Sequence, residues 1–273
     1  MYRINTNDFN LDHTLSCGQV FRWEKNDCWT GIVNGAIIRA KQEGAELIID
    51  SSLDEKVIQD YFRLDDDMEK IYTSINRDEK IAPLLWKYRG LRLIRQDPWE
   101  CLVSYICSKA NNIPKIKNSI KHICECFGNE IETGYYTFPS PDVLAEVKPN
   151  EMKQQCRVGF RAPDILNIAD MIVNHEFDLY GIKDLSYREG RKELMKIKGV
   201  GSKIADCVLL FAFDKLESFP VDTHIMQIMN RFYGENFKGP KSKKKEEIAE
   251  FAREYFGKYC GYAQEYLFLE DFG

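Results

Sequence analysis

The 273-residue sequence has no pair of cysteines at C-x-x-C spacing. Its nine cysteines stand at 17, 28, 101, 107, 124, 126, 156, 207 and 260. That scatter gives no support to a zinc site or a thioredoxin-type redox pair, and an odd number of thiols reads as free cysteines in a reducing compartment. Long apolar runs are also missing. The longest strongly apolar stretch, Cys207 to Phe213, falls far short of the roughly 20 residues that span a bilayer. The opening Met1-Tyr2-Arg3-Ile4-Asn5 lacks the apolar core of a signal peptide. Positive charge is not in excess either. The formal net charge is -5, so any hold on nucleic acid must come from local basic clusters and backbone donors rather than from the total. There is no Gly/Ser linker, no internal repeat and no long low-complexity segment. These absences lead to the expectation of a cytoplasmic protein with no membrane partner, no metal and no cofactor.

What is present is an ordinary globular composition, with 12% aromatic residues arguing against disorder. Residues 16 to 50 read as β. Val20-Phe21-Arg22-Trp23 is a short aromatic run, Lys25-Asn26-Asp27 a turn, and Cys28 to Val33 a strand. Asn34-Gly35 is a strong hairpin signal, after which Ala36 to Ala40 and Glu46 to Asp50 supply further strands. From about Leu53 the period becomes helical. Asp97-Pro98-Trp99-Glu100 reads as an acidic capping box, with Glu100 reaching back. Asn112 and Pro114 open a helix carrying Ile116, Ile120, Ile123 and Phe127, closed by Gly128. Ser140-Pro141 starts another, Ile165 to Ile172 marks a third, Ser186-x-x-Glu189 caps a fourth, and Ile248 to Tyr255 forms a stripe closed by Gly257. The fold class is therefore α+β: an N-terminal antiparallel β-sheet region, 1–90, followed by a mostly α-helical region, 91–273. The lysine run Lys241 to Lys245 reads equally as a solvated helix start or a phosphate contact.

Chemistry concentrates between Leu194 and His224. A helix runs into Gly199-Val200-Gly201, and a second helix begins at Ser202. Two glycines permit a close backbone approach, and the first amides of the new helix point outward as an anion site. Taken alone, the same pattern is equally a plain inter-helical turn. Lys203 lies on the first turn of that helix, where a cation opposes the positive end of the dipole. That field, with partial burial, favours the neutral amine, which is a nucleophile able to form a Schiff base; the other reading is a lysine gripping a phosphate. Asp222 follows Pro220-Val221 as the N-cap of a third helix. A carboxylate there can also stabilise positive charge developing on a sugar. Cys207, four residues after Lys203, shares its helix face, so an ammonium would favour the thiolate, although a small buried hydrophobe is the commoner fate of cysteine.

The ordered set resembles the 8-oxoguanine DNA glycosylase/AP lyase family of the helix-hairpin-helix superfamily. Ser16-Cys17-Gly18-Gln19-Val20-Phe21-Arg22-Trp23 is similar to its N-terminal strand motif. Arg95 to Leu102 and the asparagine turn Asn111-Asn112 are similar to its first long helix, Val158-Gly159-Phe160-Arg161-Ala162 to its wedge loop, and Gly261-Tyr262-Ala263-Gln264 through Phe268 to its pocket helix. The resemblance implies that Lys203 is the nucleophile on the sugar C1′ and Asp222 the catalytic carboxylate. It implies that the Gly18 carbonyl accepts the N7 proton that oxidised guanine has and guanine lacks. Cys207 and Phe268 would sandwich the flipped base, Gln264 would meet its pairing edge, and Gly199, Gly201, His224, Asn111, Asn112, Lys115, Phe160 and Arg161 would contact DNA. The implied partner is double-stranded DNA containing 8-oxoguanine, handled by a monomer associated with the nucleoid.

The pattern is not followed throughout. Ala110 stands where well-studied members have a hole-filling asparagine, Lys115 where they have an arginine that reads the orphan cytosine, and Phe160 in place of a tyrosine wedge. Lysine lacks the guanidinium fork, so the expectation is a relaxed preference for the base opposite the lesion. Three other readings compete: a glycosylase for alkylated purines, which the lysine at 203 disfavours; a non-catalytic DNA-binding module, which leaves the pocket residues unexplained; and a cytosolic enzyme of unrelated chemistry, which fits the acidic charge but no motif.

Overall fold

Alternation of buried and exposed residues builds the N-terminal sheet. The computed structural model describes residues 1–272, apart from the side chains of Lys241, Asp271 and Phe272. Five antiparallel strands, β1 (Tyr2–Asn5), β2 (Trp23–Lys25), β3 (Trp29–Val33), β4 (Ala36–Glu43) and β5 (Glu46–Ser51), lie in the order β1-β5-β4-β3-β2. Val33 pairs with Ala36, which leaves Asn34 and Gly35 as a two-residue loop. Their φ values of 48° and 73° are the paired positive angles of the turn that matches strand twist. β1 was not legible in the sequence, being four residues at an edge, and neither was the exposed hairpin Glu130–Glu132 with Tyr135–Tyr136.

The sheet's inner face, with Trp23, Ile38, Ala40, Leu47 and Ile49, closes on Ile58, Tyr61 and Phe62 from the helix Glu55–Tyr61 and its C-terminal turn. A second and larger core joins the helices Met68–Ile75 and Ala82–Lys87 to the remaining helical body. The extended segment after Tyr88 stitches the two cores together, since Leu91 and Leu93 enter the helical core and Ile94 the sheet core.

The expected caps occupy their places. Asp97, Asn112 and Ser140 accept from the amides of Glu100, Lys115 and Val143 at the starts of the helices Pro98–Cys107, Ile113–Phe127 and Pro141–Ala145. Ser186 and Glu189 complete a reciprocal capping box on Tyr187–Leu194. Glu100 departs from expectation. Its carboxylate lies 2.9 Å from Arg22 Nη1 rather than reaching back to the cap, because an almost buried guanidinium requires a counter-charge. The lysine run forms a short turn at Lys241–Lys243 and then enters the helix Lys244–Phe256; the Lys241 side chain lies outside the described residues.

Burial of Trp23 makes one hydrogen bond decisive for the sheet core. Its indole Nε1 donates to Tyr61 Oη at 2.7 Å, and both side chains are buried. Tyr61→Phe leaves that donor unsatisfied and is expected to lower stability by about 1–3 kcal/mol. Equilibrium urea unfolding reads the loss, and an unchanged midpoint contradicts it.

Candidate active site

The hairpin enters from Tyr187–Leu194 and leaves as the helix Ser202–Ala212. Gly199 has φ +91°, and a Cβ there would stand 2.4 Å from Asp164 Oδ2, so only glycine fits. Asp164 is itself paired with Lys109 Nζ at 2.7 Å, which braces the hairpin against the turn after Pro98–Cys107. Gly201 is the N-cap of the second helix, and no side chain caps it. A Cβ at Gly201 would meet nothing within 4 Å, and the first amides of this helix have no side-chain cap, which leaves them available as an anion site.

Lys203 is half-buried on that first turn. Its Nζ donates to Ser108 Oγ at 3.1 Å and lies 4.9 Å from the centroid of the Tyr105 ring. Among the described residues no carboxylate stands at ion-pair distance from it. The Tyr105 ring is fixed by stacking on Phe211, with centroids 5.6 Å apart and planes within 6°. Its hydroxyl donates to the Gln19 carbonyl at 3.2 Å.

Asp222 caps the helix Thr223–Tyr233 by accepting from Ile225 N at 2.8 Å. Lys203 and Asp222 act on the same buried neighbours, Cys207 and Glu265, with opposite sign, so the fold brings amine and carboxylate to one place. His224 lies one turn on, its Nε2 3.0 Å from the Phe268 carbonyl. A carbonyl only accepts, so Nε2 carries the hydrogen. The His224 ring also meets the Phe268 ring edge-on at 4.9 Å.

Of the two readings of Cys207, thiolate or small buried hydrophobe, the structure favours the second. Burial pushes its thiol up to about 12, against a downward pull from Lys203 and with an upward push from Asp222. Desolvation exceeds the effect of one half-exposed ammonium, and Cys207 is a small apolar wall.

Gly18 has φ +98°, and a Cβ there would lie 3.1 Å from Ile113 Cδ1 and 3.5 Å from Phe268 Cε1. The turn is held by Gln19, which is buried and fully bonded. Its Nε2 donates to the carbonyls of Thr14 and Arg92, its Oε1 accepts from Ile94 N, and its own carbonyl accepts from Gln96 Nε2 and Tyr105 Oη. On the helix Cys260–Phe268, Gln264 is 4% exposed, and among the described residues its Oε1 has no hydrogen-bond partner.

The outer residues are placed less uniformly. Phe160 is 60% exposed, with the Arg161 guanidinium 4.5 Å and Lys109 Nζ 5.9 Å from its ring centroid. Arg161 turns inward instead of outward. It is buried, and its guanidinium donates to the carbonyls of Lys109, Ala110 and Val158. Asn112 is a helix cap, Asn111 Nδ2 donates to the Cys107 carbonyl at 3.1 Å, and Lys115 is exposed. Ala110 itself holds a left-handed φ of +47°.

The N-terminal domain of 8-oxoguanine DNA glycosylase matches residues 1–102, and the HhH-GPD superfamily of base excision DNA repair proteins matches 103–256. The chain belongs to this family. A probable N-glycosylase/DNA lyase of Methanothermobacter thermautotrophicus is 31% identical over 97% of this chain and 94% of its own. The N-glycosylase/DNA lyase of Saccharomyces cerevisiae is 29% identical over 99% of this chain and 85% of its own. The Clostridium acetobutylicum 8-oxoguanine glycosylase/lyase, solved with duplex DNA containing cytosine opposite the lesion, superposes with a TM-score of 0.89 at 34% identity, covering 98% of this chain and 96% of that one.

Four members of this glycosylase site escaped the sequence reading: Tyr105, Ser108, Gln19 and Glu265. Tyr105 and Ser108 lie one helical turn apart, but nothing local names the lysine they meet. Gln19 is a polar residue next to an apolar run, and Glu265 is the lone charge in Cys260–Phe268. Both are signals of a buried polar group that carries a role.

Proposed function

We propose that this chain is a bifunctional DNA glycosylase that excises 8-oxoguanine from duplex DNA and then nicks the strand. The observation that carries the reading is the Lys203 amine, held by a hydroxyl and a ring face rather than by a carboxylate, beside Asp222. The target nucleotide must leave the duplex before the amine can reach it, at a cost of a few kcal/mol. Lys203 Nζ then bonds to C1′ while the glycosidic bond breaks, and Asp222 stabilises the positive charge on the sugar. The sugar opens to a Schiff base. Loss of a 2′ proton expels the 3′ phosphate in β-elimination.

Selection belongs to other segments. The Gly18 carbonyl accepts the N7 hydrogen of the oxidised base. One bond gained, against an acceptor facing an acceptor, separates lesion from guanine by a few kcal/mol. The unpartnered Gln264 Oε1 suits an N–H from the pairing edge, and Cys207 and Phe268 flank the base. Gly199, Gly201 and His224 serve the lesion-strand backbone. Asn111, Asn112, Lys115, Phe160 and Arg161 serve the region of the vacated stack. The proposed working unit is a monomer in the cytoplasm at the nucleoid; among the described residues no helix is long and apolar enough to cross a membrane. The division proposed at residue 90 is one of sequence pattern, 1–90 and 91–273; the helices from Met68 to Lys87 pack with the helical body, and Ile94 returns to the sheet core.

A lesion duplex incubated with the native enzyme and borohydride is expected to give a covalent protein–DNA adduct, which Lys203→Gln abolishes. Asp222→Asn keeps a good N-cap and hence the fold, but lowers the excision rate by about 10²–10³. An adduct from the Lys203 variant, or an unimpaired Asp222 variant, contradicts the assignment.

The inward-turned Arg161 supports a relaxed reading of the opposite base. With Lys115 offering only a point charge and Ala110 no polar group, excision rates opposite the four bases are expected to agree within about tenfold. A strict requirement for cytosine in single-turnover assays contradicts this.

A further inference from the structure

A carboxylate lies directly against the hairpin proposed to seat a backbone phosphate. Asp164 stands on the first turn of the helix Ala162–Val173, a place where the helix dipole favours an acid. Its side chain nevertheless packs on the glycine hairpin. A Cβ on Gly199 would lie 2.4 Å from Asp164 Oδ2 and 2.5 Å from its Cγ, so the carboxylate rests on the hairpin backbone. The side chain is 13% exposed, and among the described residues no hydrogen bond joins it to a hairpin amide. The uncapped helix start follows at Ser202. At separations of about 5–10 Å in a half-buried site, repulsion between like charges exceeds the attraction of one helix start. A bare carboxylate under Gly199 would therefore work against a phosphate on those amides.

Lys109 supplies the compensating charge. Its Nζ donates to Asp164 Oδ2 at 2.7 Å, and among the described residues it is the one cation paired with this carboxylate. The Lys109 side chain is 28% exposed, so the pair is only partly screened by water. Its backbone is fixed from below, because its carbonyl accepts from Nε of the buried Arg161 at 2.8 Å. Neighbouring residues of one turn thus serve the two halves of the hairpin. Ser108 holds the Lys203 amine, and Lys109 answers the charge under Gly199.

Resting on the functional reading above, we propose that Lys109 is a positioning residue that acts through Asp164: it neutralises the carboxylate beneath Gly199 and so lets the hairpin take a backbone phosphate of the lesion strand. The two partners are then unequal. Loss of the cation leaves a negative charge facing the phosphate. Loss of the carboxylate leaves a surplus positive charge, while the amide of Asp164→Asn still accepts from Lys109 Nζ and keeps the brace. A pair that only braces behaves otherwise: either single loss weakens the hairpin, and the double loss is no better than one.

The test is the affinity of the full chain for a duplex carrying a tetrahydrofuran abasic analogue, at about 0.1 M salt. Lys109→Gln is expected to bind about tenfold more weakly, and Lys109→Arg, which keeps the charge, within about threefold of native. Adding Asp164→Asn to Lys109→Gln should recover most of the loss. Asp164→Asn alone should bind about threefold more tightly than native. Weaker binding by Asp164→Asn, or a double variant no better than Lys109→Gln, overturns the proposal. The Asp164→Asn arm decides the matter by itself where Lys109→Gln does not fold. Arg3→Gln controls for total charge, since Arg3 pairs with Glu46 on the exposed edge of the sheet. A loss as large as that of Lys109→Gln overturns the proposal as well. If the native chain neither binds this duplex nor is trapped by borohydride on a true abasic site, the functional reading falls and the role falls with it. Native binding and trapping with the wrong order of variants removes the role of Lys109 alone.

Discussion

The side chain of Tyr105 sets the position of two parts of the candidate site at once. Its ring face lies under the Lys203 amine, and its hydroxyl holds the carbonyl of Gln19, the residue after Gly18. Stacking on Phe211, which belongs to the same helix as Lys203, removes the freedom that would let the ring follow either partner. Burial makes the arrangement stringent. A hydroxyl this deep needs an acceptor, and a backbone carbonyl already bonded to Gln96 supplies one in a fixed direction. The distance between the Lys203 amine and the Gly18 turn is thus a property of the packed core, not of a loop.

Local donors replace total charge in this acidic protein. At a net charge of -5 the chain cannot attract DNA as a whole. The hairpin instead presents uncapped amides at the start of Ser202–Ala212, where the helix dipole favours an anion. The Lys109–Asp164 pair under Gly199 keeps that surface in register with the turn carrying Ala110. Arg161 grips the carbonyls of the same turn, so a left-handed alanine, a conformation that costs on the order of 1 kcal/mol, is held from below. The hairpin at Gly199 and the turn carrying Ala110 are therefore parts of one frame.

Much of this was legible in the sequence wherever the controlling interaction is local. Asn34-Gly35 sets a hairpin by its own backbone angles, Ser186 and Glu189 cap a helix within one turn, and Asp222 is an N-cap because a helix begins at Thr223. The glycine hairpin, the first-turn lysine and the α+β division are of the same kind. What could not be read depends on distant partners. Glu100 belongs to a capping pattern, yet a buried Arg22 draws it away. Arg161 is placed by three carbonyls that no spacing reveals. For Cys207 the sequence left thiolate and buried hydrophobe open, and the degree of burial, which only the tertiary fold fixes, decides in favour of the thiol. Gln19 and Glu265 were visible as polar residues in apolar company, though the groups that satisfy Gln19 come from elsewhere in the chain.

All of this converges on a single amine. The sheet orders the segment that carries Gly18, the cap places Asp222, and the hydroxyl of Ser108 and the ring of Tyr105 hold Lys203 Nζ where C1′ of an extruded nucleotide would meet it. The most direct measurement is mass mapping of the borohydride-reduced adduct between the native chain and a lesion duplex, after proteolysis. The account predicts the sugar remnant on the peptide containing Lys203, at its Nζ. Attachment to Lys109, to another lysine or to the terminal amine would contradict it.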